Sequence, residues 1–393
     1  MSNPKEIVLI GSGHAHVIAL RRFGDLPIPG ARVTLISPGY FTPYSGMLPG
    51  LVAGHYRYDD AHIDVRPLAR FSCARLVRDE AVGIDLSNRI VICREQGPIS
   101  FDIVSLDIGS APNTVAIPGA SDHALPIKPI DRFLARFEGL IARAIAQEGR
   151  ARVAVVGAGA GGVELLLAVE ARLRSEVVRA GFDPSGISFV LLSDAADILP
   201  AFPIRFRQKF RTILSARGID IRTNARVVRV GSGRLFLDRR EPMDADEILW
   251  ATQAAPFPWL SETVLPLDKD GFLRVDDHLR AVGHDNIFAA GDTIAFESRR
   301  LPKSGVYAVR AGRVLANNIR RAASGGPLET FRPQRQALYL LSTGGKYAVG
   351  TRNGLTVSGR WVWWWKDWLD RRFMSGFRNL PAASSCMMGR GDD

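Results

Sequence analysis

Gly11, Gly13 and His16, and then Gly157, Gly159 and Gly162, stand at spacings that suit a turn between a strand and a helix. Backbone N–H groups left bare at the start of a helix, at the positive end of its dipole, attract phosphate. The first loop follows the apolar run 7–10 and the second follows 153–156. Each therefore has the strand, glycine turn and helix order of a dinucleotide cradle. Two cradles in one chain predict one flavin and one nicotinamide, and hydride transfer as their shared chemistry. That chemistry needs distance, orientation and electrostatics between two rings and no acid–base side chain.

Other chemistries are poorly served. Cys73, Cys93 and Cys386 are widely separated, with no CxxC or CxxxxC, so neither a disulfide framework nor a close redox pair is written. Cys73 and Cys93 lie in β-prone sequence and are expected to be buried structural thiols. A reducing cytoplasm is the expected compartment, and no metal is expected. The net charge of +11 would favour an anionic partner such as a phospholipid surface, a nucleotide or a nucleic acid. The arginines are spread along the whole chain and no RNA or DNA module is present, so no nucleic-acid partner is expected.

The elements that must hold the two loops follow from periodicity. A helix over 14–24 and a strand over 31–36 complete the first βαβ unit, with Val17, Leu20 and Phe23 at helical spacing. Residues 38–50, rich in Gly, Pro and aromatics, suit a loop beside a planar ligand, and 74–109 reads as a small antiparallel sheet. A proline-rich connection over 113–130 leads to an amphipathic helix over 131–147. The second unit uses a strand over 152–156, a helix to about 180 and a strand over 187–192, with short strands between 226 and 250. Gly291 and Asp292 end an apolar run and mark a helix start, and a longer helix is predicted over 306–322. A chain of 393 residues is too long for one core. The N-terminal apolar run reads as a buried strand and not a signal peptide. The longest apolar stretch, 153–163, falls well short of the roughly 20 residues a membrane-spanning helix needs.

In this arrangement the chain resembles the two-dinucleotide-binding-domain flavoproteins of the pyridine nucleotide-disulfide oxidoreductase superfamily. The resemblance rests on IGSGHAH (10–16), FDIVSLDIGSAP (101–112), VVGAGAGGVEL (155–165), LWATQAAP (249–256) and NIFAAGD (286–292). Within it the sequence is most similar to type II NADH dehydrogenases and, through GHAH, TPYSGMLPG and WKDWLDRRFM, to a group linked to selenophosphate synthetase. The resemblance implies an α/β fold with two Rossmann-like domains, each carrying a small antiparallel sheet, and a C-terminal α+β extension. FAD would be held by 1–116 and 272–326, NAD(P)H by 117–271, and 327–393 would form the C-terminal domain.

The resemblance also implies site residues. Gly11, Gly13, His14, Ala15, Ser37, Ser45, Gly46, Ala81, Gly109, Ser110, Asp292, Ser304 and Gly305 would contact FAD. Gly157, Gly159, Ala160, Gly161, Gly162, Glu164 and Ser193 would contact NAD(P)H. Asp292 would accept from a ribityl hydroxyl; a cap on the helix expected after it is the plainer reading and is compatible with that role. His14 is either a phosphate or flavin contact or a turn histidine. His16, standing where the fingerprint usually has a third glycine, is expected to pack and not to catalyse. Ser37 and Ser193 stand where an acidic ribose ligand is usual, and neighbouring Asp194 would disfavour a 2′-phosphate. Gln253 interrupts a turn string.

For the outgoing electrons the resemblance implies a quinone. The segment 301–312 resembles the helix bordering a quinone slot, where Lys303 either stabilises the reduced flavin anion or is a solvated loop lysine. Glu164 would lie near the nicotinamide or be a buried first-turn acid. Trp361, Trp364, Trp365, Trp368 and Leu369 share one helical face, with Lys366, Arg371 and Arg372 offset from it. Residues 361–377 thus suit either a membrane interface, with a peripheral location at the inner face, or internal packing. A redox module controlling a partner, or an enzyme of selenium or sulfur metabolism acting with selenophosphate synthetase, are the alternative functions.

Overall fold

The computed structural model describes residues 3–252 and 254–381. Gln253 and Cys386 lie outside the described residues.

Lys5–Ile10 is apolar on both faces from Ile7 onward, and all four of Ile7, Val8, Leu9 and Ile10 are buried. A run without alternation belongs at the centre of a covered parallel sheet. It sits there, in the strand order Ile287–Ala289, Ile103–Leu106, Lys5–Ile10, Ala31–Ser37, Arg75–Arg78. All four pairings are parallel. The outermost strand therefore comes from a part of the chain nearly two hundred residues beyond its neighbour.

Ala151–Val156 repeats this plan in the centre of a second five-stranded sheet, ordered Leu125–Pro126, Glu247–Trp250, Ala151–Val156, Ile187–Leu192, Asp220–Arg222. These pairings are also all parallel. The helix Ile130–Ala146 covers one face, turning Phe133, Phe137 and Leu140 into the core. Each such fully buried side chain contributes roughly 1.5–3 kcal/mol.

Two expected antiparallel sheets are smaller than the sequence suggested. Between 74 and 109 only Ala81–Asp85, Ile90–Cys93 and Ile99–Ser100 pair antiparallel. Arg75–Arg78 and Ile103–Leu106 join the parallel sheet instead. Likewise Val227–Gly231, Arg234–Leu237 and Arg240–Asp244 form one meander, while Glu247–Trp250 enters the second parallel sheet. In both places the last, fully buried strand lacks the alternation of a one-sided sheet, which is why it is inserted between parallel partners.

Residues beyond 327 form a third unit. Tyr339–Thr343, Gly345–Arg352 and Leu355–Gly359 make an antiparallel sheet, followed by the helix Arg360–Arg378. Leu341 and Val349 of the sheet pack into the core of the second unit, whereas Met374 and Phe377 of the helix pack into that of the first. The C-terminal unit thus braces both. Among the described residues no helix is long and apolar enough to cross a membrane.

Candidate functional site: two glycine cradles and a charged floor

The first cradle is formed at the carboxyl end of Lys5–Ile10. Gly11 N donates to Ile36 O at 2.8 Å, Gly13 N to Asp107 O at 3.1 Å, and the helix His14–Asp25 begins at once. A Cβ on Gly13 would run into the Asp107 carboxylate, so glycine is required there for contact and not only for turning. Asp107 Oδ2 accepts from Ala15 N at 2.7 Å and His16 N at 3.1 Å. Burial pushes this carboxyl up to about 7 even though two N–H groups favour its charge.

His16 is a packing residue, as expected. Its Nδ1 lies 2.6 Å from Gly11 O and its Nε2 2.8 Å from Ser105 Oγ. Because Gly11 O can only accept, Nδ1 carries the hydrogen and Nε2 accepts the serine hydroxyl. Burial holds this ring neutral, with its pKa lowered to about 4.

Other predicted flavin residues converge on the same loop. Gly109 O accepts from Thr293 Oγ1 at 3.1 Å, which ties the segment of Gly109 and Ser110 to that of Asp292. Asp292 itself lies 3.8 Å from Lys128. It does not cap a long helix: Gly291–Thr293 is a single 3-10 turn followed by the strand Ile294–Phe296, and the next helix is Gly305–Ser324. The carboxylate is therefore left for a ligand or for Lys128. A Cβ on Gly305 would lie 2.8 Å from Ser45 Oγ and 3.9 Å from His14 Nδ1, so Ser45, Ser304, Gly305 and His14 close one side. Ser37 and Ala81 lie at the other end. Ser37 Oγ donates to Gly39 O at 2.8 Å and lies 2.9 Å from Ser12 Oγ, and Ser37 O accepts from Asp79 N at 3.1 Å just before Ala81.

His14 is the most informative member. Its ring meets Tyr44 edge-on at 5.5 Å and Phe373 at 6.4 Å, and Tyr44 stacks on Phe373 at 4.5 Å. Its Nε2 is buried and has no hydrogen-bond partner. Burial, reinforced by nearby Lys128, lowers its pKa to about 4. A buried orphan nitrogen costs free energy unless something answers it. Together with the glycine cradle it fits a planar, phosphate-bearing ligand such as FAD.

The second cradle is more open. Gly157, at φ +110°, donates to Leu192 O at 2.9 Å, and a Cβ on Gly162 would collide with Gly157 O. Nothing lies within 4 Å of where a Cβ would stand on Gly159 or Gly161, so that rim, with Ala160, faces open space. The Thr252 hydroxyl is buried without a partner beside this loop. Ser193 is buried and engaged in its own turn, accepting from Ala195 N at 3.2 Å. These features fit a pyridine nucleotide whose phosphates meet the start of the helix Ala160–Arg179.

Glu164 is held by the C-terminal sheet. One carboxylate oxygen accepts from Ser342 N at 2.7 Å and from Ser342 Oγ at 2.9 Å. Burial outweighs these bonds and nearby Lys366, and raises its pKa. Lys366, offset from the tryptophan face of its helix, points inward. It is buried, donates to Gly46 O at 2.5 Å and pairs with Asp370 Oδ2 at 2.7 Å. Burial opposes its charge, but Asp370 and Glu164 prevail and raise its pKa. The residue belongs inward because the docked face must neutralise Glu164 and Asp370 there. Gly46 is thus the point where the aromatic loop, the charged floor and the C-terminal helix meet.

Lys303 is not a solvated loop lysine. Its Nζ donates to Ile294 O at 2.5 Å and lies 3.4 Å from the centre of the Phe272 ring. Burial lowers its pKa to about 8. A cavity of about 20 Å³ adjoins it, lined by Gly291, Ser304 and Tyr307 among others. Cys93 is buried, whereas Cys73 is exposed, against expectation: it ends the turn after the helix Val65–Phe71 with φ +55°.

Asp107, Tyr44, Phe373, Asp370 and Thr252 were not singled out by sequence reasoning. Asp107 had a visible signal, an acid directly after the apolar strand Ile103–Leu106. The partners of Tyr44 had none, since Phe373 and Asp370 lie more than three hundred residues away.

Two parallel sheets, each ending its central strand in a glycine cradle, define the class of two-dinucleotide oxidoreductases. The family model for pyridine nucleotide-disulphide oxidoreductases matches residues 5–312, and the chain belongs to that family. It is 24% identical over 383 residues to the type II NADH:quinone oxidoreductase of Staphylococcus aureus, covering 94% of each chain. Its fold is shared by solved structures, among them two from Aquifex aeolicus and Plasmodium falciparum. One is the sulfide:quinone oxidoreductase of Aquifex aeolicus, with TM-score 0.80, 16% identity and coverage of 97% of this chain and 93% of that one. The other is NDH2 from Plasmodium falciparum in complex with NADH, with TM-score 0.80, 18% identity and coverage of 95% and 97%. The protein is an FAD-dependent oxidoreductase that uses NAD(P)H.

Proposed function

We propose that this protein is an NADH:quinone oxidoreductase that works without a redox-active disulfide. One observation carries the reading: a five-stranded parallel sheet occurs twice, each time with a glycine loop at the carboxyl end of its central strand. FAD lies in the first cradle, in a unit made of 1–116 and 272–326, and the nucleotide lies in the second, within 117–271. When bound, the flavin supplies hydride acceptance and onward electron transfer. The chain supplies position and field. Gly11, Gly13, His14 and Ala15 seat the phosphate-bearing end, Asp292 takes a ribityl hydroxyl, and Ser45, Gly46, Ser304 and Gly305 border the ring. Ser37, Ala81, Gly109 and Ser110 complete the cradle.

Gly157, Gly159, Ala160, Gly161 and Gly162 seat the nucleotide, with Ser193 toward its ribose. Glu164, fixed by Ser342, orients the nicotinamide end. Lys303 adds positive charge near the flavin. The S. aureus relative, matched along 94% of this chain, supports a quinone as acceptor, and the chain has no closely spaced cysteine pair that would take the electrons instead.

A membrane surface is the proposed source of that quinone. Trp361, Trp364, Trp365 and Trp368 are all exposed, although the opposite face of their helix is well packed. Amphipathic indole rings in such a row suit the headgroup boundary.

Anaerobic stopped-flow absorbance tests the reading. NADH should bleach the flavin band within the mixing experiment, and a soluble quinone should restore it. Bound flavin that neither NADH nor NADPH reduces would overturn the dehydrogenase reading in favour of a redox module.

A further inference from the structure

The phosphate-binding end of the helix His14–Asp25 already holds a carboxyl group of the protein's own. Asp107 Oδ2 takes the N–H groups of Ala15 and His16 at 2.7 and 3.1 Å, and its backbone oxygen takes that of Gly13 at 3.1 Å. The N–H groups of Ala15 and His16 are two of the first-turn donors that an incoming phosphate would otherwise use. The carboxyl is buried, at 2% exposure, and wedged between Gly13 and Gly291, where no Cβ would fit on either glycine. It cannot move away without opening the cradle.

Resting on the assignment of FAD to this cradle, we propose that Asp107 couples flavin retention to a proton: the cradle holds FAD with Asp107 protonated, and loses its grip when that proton leaves. Two anions at one helix terminus repel, so pyrophosphate favours the neutral acid and, by linkage, the neutral acid favours pyrophosphate. Nothing but solvent need supply the proton.

The charged and titratable groups facing Asp107 are few. Asp292, from the 3-10 turn, adds further repulsion, and Lys128, from the connection between the two units, opposes it. His14 and His16, on the helix itself, are held neutral with pKa values near 4 and do not titrate above pH 6. Lys303 loses charge near pH 8 and could weaken FAD binding in the same direction, so it must be separated from Asp107.

The test is an equilibrium measurement on the holoprotein. Purified flavoprotein is diluted to nanomolar concentration at pH 6 to 9, and released FAD is read by its fluorescence. The dissociation constant should rise about tenfold per pH unit above pH 7, the slope of one linked proton. In Asp107→Asn it should change less than about threefold over the same range. A flat profile for the natural protein overturns the proposal. So does an Asp107→Asn profile as steep as that of the natural protein, and a flat Lys303→Gln profile would then assign the effect to Lys303. If the natural protein retains no FAD at any pH, the flavin assignment of the cradle fails, and this inference with it.

Discussion

Ser342 gives both its N–H and its hydroxyl to a single oxygen of Glu164, at 2.7 and 2.9 Å, joining the C-terminal sheet to the second turn of the second fingerprint helix. The acid proposed to orient the nicotinamide is thereby aimed by a segment outside both nucleotide-binding sheets. Ser342→Ala keeps the backbone bond and loses the other. Thermal unfolding should show a loss of about 1 kcal/mol, typical of one hydrogen bond. Glu164→Gln should slow flavin bleaching by NADH roughly tenfold or more, as expected for misaligned reactants, with flavin content unchanged.

The Lys366–Asp370 pair is buried on both sides and faces Glu164. Removing one partner of such a pair costs about 3–5 kcal/mol, because the remaining charge is stranded. Urea unfolding of Lys366→Met should show a loss of that order. The double variant Lys366→Met/Asp370→Leu should recover part of it, and a double variant no more stable than the single would contradict the pairing.

Lys303 is half charged near pH 8, since burial has lowered its pKa from 10.5. Its positive charge is present below that value and lost above it. If it stabilises reduced flavin, the flavin midpoint potential should become more negative with an extra pH dependence above pH 8. In Lys303→Gln the potential should be lower than that of the natural protein below pH 8 and converge on it above, with that extra dependence absent.

His16 binds no proton in the folded protein until about pH 4, whereas an unfolded histidine does so near 6.5. The unfolded chain therefore holds the additional proton between these values, so the stabilising contribution is complete above 6.5 and declines as pH falls toward 4. His16→Gln should be less stable at pH 7 but should lose less stability on acidification. Melting temperatures from pH 7 to 4.5 check the slope.

The exposed tryptophans give a prediction separable from catalysis. Trp364→Ala/Trp368→Ala should reduce co-sedimentation with anionic phospholipid vesicles several-fold. Turnover with a soluble quinone should stay the same.

The glycine spacing and the apolar runs before it identified both cradles, because a strand, a tight turn and a helix are local events written in consecutive residues. The same locality made the helix His14–Asp25, the strand Ile187–Leu192 and the shared helical face of the tryptophans legible, though not the exposure of that face. Only the tertiary structure decided that Ile103–Leu106 and Glu247–Trp250 leave their hairpins for the parallel sheets, since that choice depends on which neighbours cover both faces. It also turned Lys366 inward to meet Asp370 and Glu164, and set Phe373 against Tyr44. Helical periodicity places Lys366 beside the tryptophans but cannot say which flank docks. That was decided by Glu164, a buried acid contributed from elsewhere in the chain, whose charge needed an answer where no water could give it.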